Sequence, residues 1–359
     1  MRILVATDAW LPQINGVVST YLRLAQEAKS HGTELVFFTS AGFRTIPCPA
    51  YPGIRLAMPN LKRARETIEA AEADLIHIAT EGPIGFMARA YCLGRGKPFT
   101  TSYHTKFPEY ASALLGIPPC WSFAAMRYFH NSGAGTMVAT PSLQAELRQR
   151  GFKRLLSWTR GVDTDLFRPR AERLFGGERP LFIYVGRVSK EKNLEAFLSA
   201  DLPGQKVVVG TGPHLPTLKR SFPQVRFLGP KSGEELAAHY ASADVFVFPS
   251  RTDTFGLVML EAMASGVPVA AYPVTGPIDV VTSGVSGILD EDLTRAARAA
   301  LELDRTKVRE AAFRFSWART AELFIHNITN ACGYAVPGRS RPGLRPAARA
   351  PVSLAAKTT

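Results

Sequence analysis

Short runs of apolar residues alternate with longer amphipathic segments along most of the chain. In the first half the apolar runs lie at 2–7, 34–39, 74–79, 98–104 and 135–141. After a polar stretch at 159–180 the series starts again, with runs at 181–187, 206–210, 225–229, 244–250 and 267–272. Strands that alternate with helices form βαβ units and a parallel sheet. The pattern therefore predicts an α/β protein of two doubly wound, Rossmann-like domains that face each other across a cleft.

The predicted domains are 1–168 and 169–334, with a hinge near 160–180. Helices predicted at 291–303 and 305–332 close the second domain, and the last of them could cross back onto the first. Residues 335–359 are rich in Pro, Gly and Arg, with five basic and no acidic residues. Such a composition cannot bury a core, so we expect a basic, disordered tail.

Composition limits the class of protein. A chain of 359 residues that is 46% hydrophobic can form two domains with cores of their own. Its four cysteines are scattered without a C-x-x-C pair, which favours neither a zinc site nor a disulfide framework and indicates a reducing cytoplasm. No stretch approaches the roughly 20 apolar residues of a membrane span. We expect a cytoplasmic protein that is soluble or peripheral to a membrane.

The net charge of +13 is unevenly distributed. Residues 1–170 carry 20 basic and 12 acidic side chains, whereas 171–334 carry 18 of each. A basic surface attracts nucleic acid, anionic lipid headgroups or acidic substrates, or only aids solubility. No nucleic-acid-binding motif is present, so we expect no nucleic-acid partner.

Three loops that follow predicted strands carry candidate ligand-binding residues. In the first loop Gly16 precedes a helix beginning near Val17, where bare N–H groups can bind an anion. In the second, Arg187 and Lys192 flank a turn and could neutralise a diphosphate. The third is "SRTDTFGLVMLEAMASGVPV" at 250–269, where Thr252, Asp253 or Thr254 could N-cap the next helix. Each residue alone has a plain structural explanation, as a turn glycine, a surface charge or a cap.

The third loop holds two carboxylates, Asp253 and Glu261, eight positions apart. Eight residues of α-helix rise about 12 Å, whereas the carboxylates that cleave a glycosidic bond lie roughly 5 to 9.5 Å apart. If Asp253 lies on or just before the helix, the spacing therefore favours two contacts to one elongated ligand over a hydrolytic pair. Cations and helix ends for phosphates, with carboxylates for hydroxyls, match the shape of a nucleoside diphosphate sugar.

At this point the sequence resembles the family-4 retaining glycosyltransferases of GT-B fold over roughly residues 1–332. The motifs are "P-x-x-NGV" at 12–17, "SYHTKFPEY" at 102–110, "RGVDTDLFRP" at 160–169, "GRVSKEKN" at 186–193 and the acidic pair with "AMASGVPV". The likeness is greatest to lipid-directed members, such as phosphatidylinositol mannosyltransferases and the glycosyl and sulfoquinovosyl diacylglycerol synthases.

The resemblance implies a role for each candidate residue. Arg187 and Lys192 would hold the donor diphosphate, with Gly16 approaching it from the opposite domain. Glu261 would bind the ribose hydroxyls and Asp253 the hexose hydroxyls. Backbone N–H groups of three consecutive residues would assist, namely Phe255, Gly256 and Leu257. This sequence has Asp253 where the family usually has Glu, so the hexose could sit closer, differ in kind or be reached through water.

Three residues of the first domain complete the predicted site. His104 matches a family histidine that faces the transferred sugar, so the predicted catalytic set is His104, Asp253, Arg187 and Lys192. Glu81 and Tyr103 are assigned to the acceptor side, although Glu81 could instead cap the helix that follows it. His77, inside the apolar run 74–79, is expected to be a core residue.

The resemblance implies transfer of a hexose with retention and without an obligatory metal or cofactor. The "DTD" at 163–165 resembles a metal-binding motif but matches the family's hinge turn. We expect a GDP- or UDP-hexose donor, with mannose favoured, and a lipid acceptor at the anionic inner face of the membrane. The alternatives are a soluble or polysaccharide acceptor, or a sugar-nucleotide epimerase of the same fold.

Overall fold

The structure is a computed structural model that describes residues 1–13, 16–47, 55–104, 118–171 and 173–335. Its strands are β1 (Arg2–Ala6), β2 (Glu34–Phe38), β3 (Thr45–Pro47), β4 (Arg55–Ala57), β5 (Leu75–Ile78), β6 (Phe99–Tyr103), β7 (Gly135–Val138), β8 (Leu155–Ser157), β9 (Leu181–Val185), β10 (Gln205–Val209), β11 (Arg226–Phe227), β12 (Val245–Phe248), β13 (Val269–Ala271) and β14 (Gly287–Leu289).

The described helices alternate with these strands. They are α1 (Gly16–Ser30), α2 (Leu61–Ala70), α3 (Pro83–Gly94), α4 (Pro119–His130), α5 (Pro141–Gln149), α6 (Leu194–Leu198), α7 (Leu215–Ser221), α8 (Gly233–Ala241), α9 (Leu257–Ala264), α10 (Pro277–Val280), α11 (Leu293–Ala300), α12 (Arg305–Ala312) and α13 (Trp317–Ala331). A 3₁₀ turn covers Lys190–Lys192.

Two parallel six-stranded sheets form the framework. The first has the order β2-β1-β5-β6-β7-β8 and the second the order β11-β10-β9-β12-β13-β14. The predicted α/β fold with two Rossmann-like sheets is confirmed. The antiparallel pair β3–β4 and the edge strands β8 and β14 were not predicted.

Each sheet has an apolar core on both faces. Ile3 and Val5 of β1 face a cluster that includes Trp158, whereas Leu4 and Ala6 face the opposite cluster. Successive strand residues point to opposite faces, so strands covered on both faces appear as continuous apolar runs. This arrangement explains why the sequence pattern located the central strands of both domains.

The last helix packs on the first sheet, although the chain reaches it from the second. Phe324 and Ile328 of α13 lie in the same core cluster as Trp158, and Trp158 Nε1 donates to the carbonyl of Thr320 at 3.0 Å. A second connection runs alongside, since Val162 N donates to the carbonyl of Phe315 at 3.0 Å. The chain therefore crosses between the sheets twice.

The predicted helix 305–332 is wrong as one element. It is divided into α12 and α13, because Ser316 has extended backbone and its hydroxyl accepts from Arg319 N at 3.2 Å. The predicted boundary at 168/169 lies between β8 and β9 and stays a prediction. The tail from 336 onward lies outside the described residues.

We predict that Gly161→Ala destabilises the protein by about 1 to 3 kcal/mol through overpacking. A Cβ at this position would lie 2.5 Å from Trp317 N and 2.7 Å from its Cα, so the start of α13 would have to shift. Urea unfolding measures the effect. Gly94→Ala is the matched control, because a Cβ there meets nothing within 4 Å. Equal unfolding midpoints for Gly161→Ala and the unchanged protein would contradict this account of the crossing.

Candidate functional site

The candidate residues lie where the strand order of each sheet reverses. In the first sheet β1 lies beside β5, and in the second β9 lies beside β12. Open parallel sheets bind ligands beyond the carboxyl ends of such strands. Arg187 and Lys192 follow β9 and Asp253 follows β12, while Glu81 and His104 follow β5 and its neighbour β6.

Direct contacts join these edges across the cleft. Thr254 Oγ1 donates to the carbonyl of His104 at 2.7 Å. A Cβ built on Gly16, the first residue of α1, would lie 3.6 Å from Leu257 Cδ1, at the first residue of α9. The N-termini of α1 and α9, which belong to different domains, therefore approach each other, and both carry positive partial charge.

Lys192 and Asp253 form an ion pair inside the cleft. Lys192 Nζ lies 2.5 Å from Asp253 Oδ1, and the two side chains are 18% and 20% exposed. The other carboxylate oxygen, Oδ2, and the hydroxyl of Thr252 are buried without a hydrogen-bond partner among the described residues. A buried polar atom without a partner is costly, so this corner is suited to a ligand that supplies hydrogen bonds.

The helix start after Asp253 leaves its backbone open. The N-cap of α9 is Gly256, with φ 86° and ψ 73°, and no side chain caps it. The predicted cap by Thr252, Asp253 or Thr254 is therefore wrong, because the chain turns through a left-handed glycine instead. The same turn places Asp253 four residues before the helix, so the helical rise does not set its distance from Glu261.

Glu261 lies in the second turn of α9, beside a buried tyrosine. Its Oε2 accepts a hydrogen bond from Tyr240 Oη at 2.9 Å. Burial raises the pKa of Glu261 to about 7, although the tyrosine bond acts in the opposite direction. A carboxyl group with one oxygen held by Tyr240 has its other oxygen for a ligand hydroxyl.

Arg187 is exposed, in the loop after β9. Its carbonyl accepts from Tyr184 Oη at 2.8 Å, and Asn193 Nδ2 donates to the carbonyl of Pro249 at 3.2 Å. These bonds fix the loop against the end of β12, beside the segment that carries Asp253.

His104 is held from two sides at the end of β6. Its Nδ1 lies 2.9 Å from Arg160 Nη2 and its Nε2 3.2 Å from Tyr21 Oη. Burial first, and then the Arg160 charge, hold the pKa of His104 well below its usual value, so the ring is neutral near pH 7. His77 is fully buried, as predicted. Tyr103 is only 1% exposed, in a core cluster, and its acceptor role stays a prediction.

Glu81 pairs with a histidine instead of capping the next helix. Glu81 Oε1 lies 3.0 Å from His130 Nε2. Asp8 caps α3, accepting from Ile84 N at 2.9 Å and Gly85 N at 3.4 Å. Glu81 is therefore held in place by His130, with 13% of its side chain exposed, and its acceptor-side role stays a prediction.

Sequence reasoning missed Asp8, Tyr21 and Arg160. Asp8 follows a strand, which is a usable signal. Arg160 is the first residue of the motif "RGVDTDLFRP", and nothing in the sequence indicated that it reaches His104, 56 positions away.

The "DTD" segment serves the hinge. Asp163 Oδ1 accepts from the backbone N of Asp165 at 3.2 Å and of Leu166 at 3.1 Å, and the carboxylate pairs with Arg23 of α1. No cluster of three His, Cys, Asp or Glu side chains able to hold a metal occurs within the described ranges.

Comparison with known proteins identifies the family. Residues 14–166 match the model for Glycosyltransferase Family 4, and residues 179–305 match the model for Glycosyl transferases group 1. A GDP-mannose-dependent alpha-mannosyltransferase from Mycolicibacterium smegmatis is 30% identical over 89% of this chain and 94% of its own length. The sulfoquinovosyl transferase SQD2 from Arabidopsis thaliana is 34% identical over 80% of this chain, which spans 62% of that relative.

Two further similarities concern a lipid enzyme and the fold. The alpha-monoglucosyldiacylglycerol synthase of Streptococcus pneumoniae is 27% identical over 76% of this chain and 71% of its own length. A sucrose-phosphate synthase from Thermosynechococcus elongatus superposes with a TM-score of 0.76 at 21% identity, over 93% of this chain and 99% of that one. The chain belongs to the family-4 glycosyltransferases of GT-B fold.

Proposed function

We propose that the protein is a retaining hexosyltransferase that moves a hexose, with mannose favoured, from a nucleoside diphosphate sugar to a membrane lipid such as diacylglycerol or a phospholipid. The Lys192–Asp253 pair carries the proposal, because it sets a cation for phosphate beside a buried, unpartnered carboxylate oxygen for a sugar hydroxyl. A GDP- or UDP-hexose supplies both groups at adjacent positions.

The donor is proposed to lie along the start of α9. Its diphosphate contacts Lys192, Arg187 and the N–H groups of residues 255–257, while Gly16 lies across the cleft. Glu261 accepts from the ribose hydroxyls, and Asp253 Oδ2 accepts from the hexose. GDP-mannose is the favoured donor, in agreement with the name of the Mycolicibacterium smegmatis relative.

The chemistry we propose needs no basic side chain from the enzyme. The bond between sugar C1 and the phosphate oxygen breaks, and the acceptor oxygen bonds to C1 on the same face. The acceptor proton passes to the leaving phosphate, whose charge is met by Lys192, Arg187 and the helix ends. His104 is neutral, so it contributes as a polar contact to the sugar.

The acceptor is proposed to approach the first domain from an anionic membrane surface, with Glu81 and Tyr103 on its path. Trp121 and Tyr128 of α4 are 73% and 68% exposed, and their spacing of two helical turns puts them on one face. Exposed aromatic residues on a domain with a basic excess suit a peripheral membrane protein. No helix in the described part of the chain has the length and hydropathy to span a membrane.

Substitutions in the ion pair should separate phosphate binding from sugar binding. In Lys192→Met both GDP and GDP-mannose should bind more weakly, by on the order of 1.5 to 3 kcal/mol for a lost charged hydrogen bond. In Asp253→Asn, GDP should bind at least as tightly as before, because Lys192 is released from its carboxylate, while the additional affinity from mannose falls. Calorimetric titration measures both ligands.

The control for the ion pair is Asp201→Asn, an exposed carboxylate in the same domain. Equal losses for GDP and GDP-mannose in Asp253→Asn would contradict the assignment of this residue to the hexose.

Glu261→Gln should weaken donor binding and increase the stability of the fold. With a pKa raised from 4.5 to about 7, folded Glu261 retains a proton that the unfolded chain releases, so its contribution to stability falls as pH rises through that window. Glutamine has no such loss. The free energy of unfolding of the variant, relative to that of the unchanged protein, should therefore increase by about 3 kcal/mol between about pH 4.5 and pH 8.

Urea unfolding at both pH values tests this gain, and calorimetry tests the loss of donor affinity. Glu66→Gln, at an exposed position of α2, should leave both properties unchanged. A pH-independent stability difference for Glu261→Gln would refute the raised pKa.

Vesicle sedimentation tests the membrane part of the proposal. We expect binding to vesicles with anionic lipid, weakening as salt is added, and none to zwitterionic vesicles. Trp121→Ala should weaken binding, whereas Phe313→Ala, an exposed aromatic of the second domain, should not. Equal binding to both kinds of vesicle, or none, would remove the lipid argument.

A further inference from the structure

Arg160 is a buried cation behind the first-domain wall of the cleft. Its side chain is 5% exposed, and its guanidinium lies 4.2 Å from the ring centre of Trp158. Nη1 donates to the carbonyls of Trp158 at 2.9 Å and Thr159 at 3.0 Å. Within the described residues no carboxylate lies within 4.0 Å of the guanidinium, although buried charges are ordinarily paired.

The third contact of this guanidinium determines the proton positions in the ring of His104. Arginine has only donors, so Nη2, at 2.9 Å, donates to Nδ1 of His104. Nδ1 must then be unprotonated, and the proton of the neutral ring is on Nε2, 3.2 Å from Tyr21 Oη. The Tyr21 hydroxyl then accepts from His104 and has its own acceptors in Ser102 Oγ at 3.3 Å and His77 Nε2 at 2.9 Å. The network therefore admits one tautomer of His104.

We propose that Arg160 is a positioning residue for the transfer reaction, which holds His104 as the neutral Nε2–H tautomer while an anionic donor occupies the cleft. This inference rests on the proposed function. A bound diphosphate attracts a proton to any nearby histidine, and a fixed cation at Nδ1 opposes that effect. The ring thus keeps the same protonation and orientation in the empty and the donor-bound enzyme.

The other groups around the ring do not supply this effect by themselves. Burial lowers the pKa of His104 most, and Arg160 is the largest charged contributor, followed by His77 on β5 and His130 on α4. Tyr21 on α1 contacts the ring through an uncharged hydroxyl. The charge of Glu81 contributes to raising the pKa of Tyr21. Across the cleft, Thr254 donates to the backbone carbonyl of His104 and not to its ring.

The first test uses the free protein and needs no donor. Nitrogen NMR of ¹⁵N-histidine-labelled protein should show His104 with an acceptor-type Nδ1 and a protonated Nε2, unchanged between about pH 5.5 and 8, below and above the ordinary pKa of about 6.5. His104→Gln identifies the signals. In Arg160→Met the ring should titrate in this range or populate both tautomers, and Arg160→Lys should restore the single tautomer.

The second test measures turnover with GDP-mannose, or with another hexose donor that binds, against pH. The unchanged enzyme should show no ionisation from His104, whereas Arg160→Met should lose about 10- to 100-fold in kcat, the same order as when a group that orients a metal-binding histidine is removed. If the ring of His104 titrates in Arg160→Met, the donor affinity of that variant should rise as pH falls, because a protonated His104 attracts the diphosphate. Arg160→Lys should recover most of kcat.

Arg309→Met controls for general loss of structure. Arg309 also donates to carbonyls near the hinge, those of Phe167, Thr164 and Ala264, but it does not touch His104. It should keep the flat pH profile even if its stability falls.

The outcomes separate the two proposals. A titrating His104 or a protonated Nδ1 in the unchanged protein would overturn the role of Arg160, and so would identical histidine spectra in Arg160→Met. If the spectra are as expected but no nucleotide sugar binds, the proposed function fails and the tautomer assignment stands.

Discussion

A charge withdrawn from water must meet an opposite charge, a dipole or a ligand, and this requirement shapes the cleft between the two sheets. Lys192 meets it with Asp253. Glu261 meets it by holding a proton up to about pH 7, with Tyr240 on one oxygen. Arg160 meets it with carbonyls, a tryptophan face and a histidine nitrogen. Of these groups, Asp253 keeps one buried oxygen, Oδ2, without a hydrogen-bond partner among the described residues.

The double crossing of the chain determines which loops can meet. Because α13 returns to the first sheet, the connections through Val162 and Phe315 run side by side, and Trp158 is fixed to Thr320. The segment that carries Arg160 thus belongs to the crossing itself.

The central strands and the post-strand loops could be predicted from the sequence, because strands buried on both faces have distinctive apolar runs and glycines mark the turns after them. The cap of α9 could not, since three plausible side chains precede Gly256 and the left-handed turn overrides all of them. The Arg160–His104 and Glu81–His130 contacts also could not. They join residues distant in sequence, and their meeting depends on strand order and helix placement that no local pattern encodes.

The Lys192–Asp253 pair has a consequence for the end of a reaction cycle. The Asp253 carboxylate contacts the lysine that a donor phosphate would contact. A bare nucleotide would therefore compete with this internal anion, whereas an intact nucleotide sugar would also offer Asp253 a hydroxyl. Once the hexose has been transferred, Asp253 would pair with Lys192 again. This pairing would lower the affinity of the site for the product nucleotide. An aspartate that reaches Lys192 at 2.5 Å would thus favour product release and limit inhibition by the nucleotide that each turnover leaves behind.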